Sequence, residues 1–298
     1  MDEYAVLGDL AGLSQLLWGR SLEASARRAR GRRLQAGIRI GLKALRHPDR
    51  ALLRLILQAR IARLKPQAVH ARFLHWLSGE FGVDGAALDA EYHSSRFRRS
   101  YLARRQSLND VVGPLRLGTS GGWTLKSLYL LIRAARPRIV VETGVLYGAT
   151  SAHILAALEA NAEGELYSID LPHDPREPGP EALVPGHLHR RWALVLGDSR
   201  RELPPLLKRL GAIDCFYHDS LHTFEHMTWE YQTVLPYLSP RGILASHDVL
   251  VAHSVPRIFR RNAFPAFCDR TGLRWTTFQN SGFARRRCGG ARGDLGSQ

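Results

Sequence analysis

The chain has 298 residues, 45% of them hydrophobic, which is enough for one large or two small domains with a proper core. Its 42 Lys and Arg against 27 Asp and Glu give a formal net charge of +15, a balance that points to acidic partners and says nothing about fold. Cys215, Cys268 and Cys288 are far apart with no C-x-x-C, which argues against a disulfide framework and a cysteine zinc site; the acidic start Met1-Asp2-Glu3 does not suit a secretory signal, and the longest apolar stretch, Ala51 to Leu64, is cut by Arg54, Arg60 and Arg63. A soluble, cytoplasmic protein is the expectation.

Residues 1–112 read as a basic helical region, with helices over Tyr4–Leu17, Ser21–Leu45, Pro48–Leu64, Pro66–Phe81 and Ala86–Arg105 and no strand. The first 110 residues hold 20 Lys and Arg against 10 Asp and Glu, two thirds of the excess charge of the chain. A cap over an acceptor pocket or an arm for homo-oligomerisation suits this region. Contact with RNA or an anionic membrane through Arg27, Arg28, Arg30, Arg32 and Arg33 is the less favoured reading, because no aromatics interleave with these arginines.

A Gly- and Pro-rich connector, Asp110–Gly122, follows. From Trp123 helix and strand alternate: helix 125–135, strand 138–143, helix 149–161, strand 165–170, a Pro-rich loop 172–185, strand 192–196, helix 200–210, strand 213–218, helix 224–237, strand 242–246 and a helix over 255–270. Two close strands, 273–279 and 282–287, end the pattern as a hairpin. The expected fold is α/β: a doubly wound, mostly parallel seven-stranded sheet with a terminal antiparallel hairpin over residues 113–287, preceded by the helical region and followed by a flexible tail at 288–298.

The most informative stretch is Ile139-Val-Val-Glu-Thr-Gly-Val-Leu-Tyr-Gly-Ala-Thr-Ser151. An apolar strand ends in an acid, Gly144 and Gly148 bracket a tight turn, and a helix starts at once. Such a unit lets a nucleotide-like cofactor approach bare backbone at a helix N-terminus, but the glycine spacing is not the G-x-G-x-x-G of a dinucleotide binder. Every strand of the parallel run also ends on polar groups: Glu142, Asp170, Asp198-Ser199, His218-Asp219 and His247-Asp248. Ligands of open α/β sheets bind beyond those ends. Glu142-x-Gly144 resembles the first motif of the class I S-adenosylmethionine-dependent methyltransferases. On that resemblance Glu142, Gly144, Tyr147 and Gly148 meet the cofactor, Asp170 meets its ribose hydroxyls, and Asp198 with Ser199 meets the adenine end.

Two further segments carry the resemblance further, Phe216-Tyr-His-Asp-Ser-Leu-His-Thr-Phe-Glu-His226 and Leu235-Pro-Tyr-Leu-Ser-Pro-Arg-Gly-Ile-Leu-Ala-Ser-His-Asp248. They resemble the small-molecule O-methyltransferases related to the catechol and macrolide-sugar enzymes. The resemblance implies a small-molecule hydroxyl acceptor such as a sugar or secondary metabolite, a divalent metal (Mg²⁺ or Mn²⁺) held by Asp219, His247 and Asp248, and His222 with Asp219 as the catalytic pair, His222 standing where the catechol enzymes carry a lysine base. Two departures stand out: Leu221 replaces a second acid, and His247 replaces the first acid of the strand-five pair. Glu225 and Glu230 read as a solvated helix face, and His218 and His226 as structural. A nucleotide-binding oxidoreductase and a non-catalytic RNA- or membrane-binding protein are the alternatives.

Overall fold

The computed structural model describes residues 66–113, 121–249 and 262–286. The three helices expected before residue 65, the arginine cluster at 27–33, the start of the helix expected from Val255 and the tail lie outside the described residues.

Three helices open the described chain: α1 (Pro66–Phe81), α2 (Gly85–Ser94) and α3 (Arg96–Val112). The single helix expected over 86–105 is two, because Ser95 adopts an extended conformation (φ −63°, ψ 145°) and caps the second helix by accepting from Arg98 N at 3.1 Å. Then come α4 (Gly122–Ala135), β1 (Ile139–Thr143), α5 (Ala149–Ala160), β2 (Glu165–Asp170), β3 (Trp192–Leu196), α6 (Ser199–Leu210), β4 (Ile213–His218), α7 (Phe224–Val234), β5 (Leu238–Ser246), α8 (Ala263–Thr271), β6 (Arg274–Phe278) and β7 (Ser281–Arg285). A 3₁₀ turn at Gly186–Arg191, unforeseen in the sequence, leads into β3. Another at Leu235–Tyr237 ends α7 earlier than expected, where Pro236 withholds the amide an α-helix needs. The hairpin turn is Gln279-Asn280, one residue earlier than read, with Gln279 at φ +50°.

The seven strands run in the order β3-β2-β1-β4-β5-β7-β6. Pairings among β1 to β5 are parallel, and β7 is antiparallel to both β5 and β6. This is the doubly wound sheet with a terminal antiparallel hairpin. The chain leaves β1 toward one edge and returns to β4 on the other side, so the switch point lies between β1 and β4, where such sheets open a binding crevice.

Apolar residues on each side of the sheet form two cores. One gathers α4 and α5 with Val140, Leu166, Cys215 and Ile243; the other gathers α6, α7 and α8 with Val141, Phe216 and Leu244. The alternation of neighbours such as Val140 and Val141 between the two is the period-two pattern of a strand buried on both faces. Helices α1 to α3 share the first core: Phe73, Leu77, Tyr92 and Tyr101 are almost fully buried in it. Phe73 packs edge-on to Trp123 and to Phe278 of the hairpin, with ring centroids 5.5 and 5.4 Å apart. Each such side chain contributes about 2–3 kcal/mol of burial. Polar ties add to this: Glu91 accepts from Tyr129 and Arg133 of α4 at 2.7 and 2.8 Å, and the Tyr92 hydroxyl meets Nε2 of the buried His153 of α5 at 3.0 Å. The described part of the basic region is therefore built into the sheet domain.

Candidate active site

One crevice of about 650 Å³ opens at the switch point, within the size range of small-molecule sites. Its back wall is the turn after β1. Gly144 has φ +86°, and a Cβ there would lie 2.2 Å from the Asp219 carbonyl oxygen, so only glycine lets the β1 and β4 tips approach each other. Gly148 serves packing instead: a Cβ would lie 2.2 Å from the Pro180 carbonyl oxygen, in the loop that closes over α5. Asp170 at the tip of β2 accepts from Val145 N (3.1 Å) and Leu146 N (2.7 Å) through Oδ2 and from Leu171 N (2.8 Å) through Oδ1. The acid read as a ribose partner thus also pins the glycine turn. Asp198 caps α6 by accepting from Arg200 N at 2.8 Å, and Ser199 beside it faces the crevice.

Asp219, His222, His247 and Asp248 face the same crevice. His247 Nδ1 lies 2.9 Å from Asp219 Oδ1, and His222 Nε2 lies 3.6 Å from that oxygen and 3.4 Å from Asp248 Oδ2. Asp248 is held in the left-handed region (φ +54°) and accepts from the Asn280 amide of the hairpin turn. Burial lowers the pKa of His222, although Asp248 and Asp219 pull it upward. Its ring is therefore neutral and able to take a proton at neutral pH.

Gly144, Asp170, Asp198, Ser199, Asp219, His222, His247 and Asp248 thus meet in one place. Three residues assigned to the cofactor do not. Glu142 is fully buried beneath the floor, accepting from Ser151 and Ser168 hydroxyls at 2.5 and 2.8 Å; burial pushes its carboxyl up to about 7. Tyr147 is buried in the first core, its carbonyl accepting from Leu183 N, and Gly148 does not line the crevice. Both follow from the turn's geometry: after the exposed Leu146 the chain dives back into the core before α5 starts.

The reading of Glu230 as solvated is wrong. It is wholly buried and accepts from Thr143 Oγ1 (2.7 Å), His218 Nδ1 (2.6 Å), Ser220 Oγ (3.0 Å) and His226 Nε2 (2.9 Å). Burial works to raise its carboxyl, but the hydrogen bonds from His218 and His226 prevail and hold it well below the usual carboxylate range. Ser220 and His226 face the crevice and were missed as site residues. The i, i+4 spacing of His226 and Glu230 was the available signal.

The metal set read from the sequence was Asp219, His247 and Asp248. Among the described residues, the three donors that lie within 4.8 Å of one another are those of Asp219, His222 and His247. Two imidazoles among three donors are a poor match for Mg²⁺ or Mn²⁺, which favour oxygen. No step below is routed through either ion.

Residues 141–249 match the family model described as Methyltransferase domain. Among solved structures the chain is similar to cofactor-bound Rv0187 from MTB, with 18% identity and a TM-score of 0.50 over 63% of this chain and 90% of that one. It is also similar to the O-methyltransferase TomG from Streptomyces achromogenes, solved with SAM (16% identity, TM-score 0.49, 63% and 90% covered), and to a methyltransferase from Geobacter sulfurreducens (18%, 0.48, 62% and 88%). No curated relative matches the chain. The fold is the Rossmann-like methyltransferase fold, and the match to the methyltransferase-domain model lies on its first five strands. Helices α1 to α3 are docked onto the sheet that carries this match.

Proposed function

We propose that this protein transfers the methyl group of S-adenosylmethionine to a hydroxyl oxygen of a small molecule. The observation that carries the reading is the layout of the crevice. Asp170 and Asp198 stand at the β2–β3 end, suited to an adenosyl group, the histidine–carboxylate cluster stands at the β4–β5 end, and the glycine turn after β1 lies between them. S-adenosylmethionine held at the first end would supply an activated methyl group to an acceptor beside the second. The acceptor oxygen approaches the methyl carbon from the side opposite sulfur, so the new C–O bond forms as the C–S bond breaks and the thioether S-adenosylhomocysteine leaves. The hydroxyl proton goes to the imidazole of His222, whose Nε2 Asp219 and Asp248 flank at 3.6 and 3.4 Å. Their charges stabilise the imidazolium that forms. The partner is thus a small-molecule hydroxyl compound; Leu221, exposed at the crevice rim, offers it an apolar contact.

The test is calorimetric titration of the protein with S-adenosylhomocysteine, with and without Mg²⁺. Micromolar binding that Mg²⁺ leaves unchanged is expected. Absence of binding at high protein concentration would overturn the cofactor assignment.

A further inference from the structure

The mechanism above leaves one buried constellation unused: the carboxylate of Glu230 and the groups around it. Glu230 Oε1 meets both His226 Nε2 (2.9 Å) and Ser220 Oγ (3.0 Å). An ionised carboxylate only accepts hydrogen bonds, so Nε2 of His226 must carry its hydrogen. The same Nε2 lies 3.2 Å from Ser199 Oγ. A nitrogen bearing a hydrogen cannot accept one from Ser199. The serine oxygen therefore turns a lone pair toward His226, and its hydroxyl hydrogen is left to point elsewhere. Ser199 faces the crevice beside Asp198, whose carboxylate keeps acceptor capacity after capping Arg200 N. The wall at the start of α6 then offers an acceptor, Asp198, next to a donor, Ser199.

We infer that Glu230 and His226 are positioning residues that fix Ser199 as a hydrogen-bond donor, so that the Asp198–Ser199 pair selects a 6-aminopurine over a 6-oxopurine. A 6-aminopurine edge carries an N–H donor for Asp198 and a bare ring nitrogen for Ser199. A 6-oxopurine edge reverses both: a carbonyl faces the carboxylate and a ring N–H faces the hydroxyl hydrogen. The inference rests on the adenosyl reading of this crevice and adds to it two residues that act through Ser199.

The experiment measures dissociation constants for S-adenosylhomocysteine and S-inosylhomocysteine by calorimetry on the full chain. The wild type is expected to favour the adenosyl compound at least 30-fold. Ser199→Ala and Glu230→Gln are each expected to bring that ratio below about 5-fold. In the second variant an amide can donate to His226 and free the serine to reverse. A purely structural role for Glu230 would weaken both ligands alike and leave the ratio intact, which would overturn the inference. So would a wild type that binds the two within threefold. Should Glu230→Gln fail to fold, His226→Asn takes its place, and a folded His226→Asn or Ser199→Ala with an unchanged ratio sinks the proposal. A wild type that binds neither compound removes the methyltransferase reading itself, and this inference with it.

Discussion

His222 is the residue on which the proposed methyl transfer turns. It stands between two carboxylates, yet burial dominates and keeps the ring neutral. His222→Ala is expected to lower kcat by 10²–10⁴-fold, the usual contribution of a positioned base, while S-adenosylhomocysteine affinity changes less than about threefold. A variant that loses both in a folded protein would contradict the base role. Because the pKa is lowered, the acid limb of kcat/KM in the wild type is expected below the ordinary histidine value of about 6.5; a limb above 7 would point to another group. Residue type and position made Asp219, His222 and His247 legible in the sequence. Glu230 was not, because a glutamate one turn after a histidine reads equally as a solvated pair until the partner on β4, His218, is brought against it.

At the scale of elements, the docking of α1 to α3 is what turns a bare sheet domain into this molecule. Phe73 is the pivot, wedged between Trp76, Trp123, Phe278 and Phe283 and fully buried. Phe73→Ala is expected to cost about 3–5 kcal/mol in denaturant unfolding, because the cavity is enclosed by rigid rings from four elements. Phe73 does not line the crevice, so cofactor affinity should hold; a loss below 1 kcal/mol would show that the helices are only loosely seated. The sequence marked α1 with its correct bounds but gave no hint of where it docks. Its aromatic residues match several possible partners, and only the hairpin's return across the edge of the sheet selects one.

For the whole molecule, two buried groups set opposing pH dependences. His153, enclosed by Tyr92, Phe97 and Tyr101, is held by burial down to about 4. Its folded pKa is below the unfolded value, so its contribution is present above about 6.5 and is lost as pH falls through 4. Glu142 is raised to about 7 by burial, so its contribution is present below about 4.5 and is lost as pH rises through 7. Each shift corresponds to about 3 kcal/mol at full titration. The wild type should therefore be nearly flat between pH 4.5 and 6.5. Glu142→Gln is expected to gain stability relative to wild type on going from pH 4 to pH 8, by up to about 3 kcal/mol, and His153→Gln to gain a similar amount relative to wild type on going from pH 7 to pH 4. Unfolding curves across that range check both; parallel profiles for wild type and variants would refute the assignment.

Periodicity and strand-end chemistry, which are local properties of the chain, determined the alternating α/β architecture, the hairpin and the carboxylates at the crevice wall. Strand order, the docking of the first helices and the burial of Glu142, Tyr147 and Glu230 were decided by the tertiary structure. Those outcomes depend on which distant segments share an interior, and in that interior the loss of water, rather than spacing along the chain, sets what each polar side chain can do.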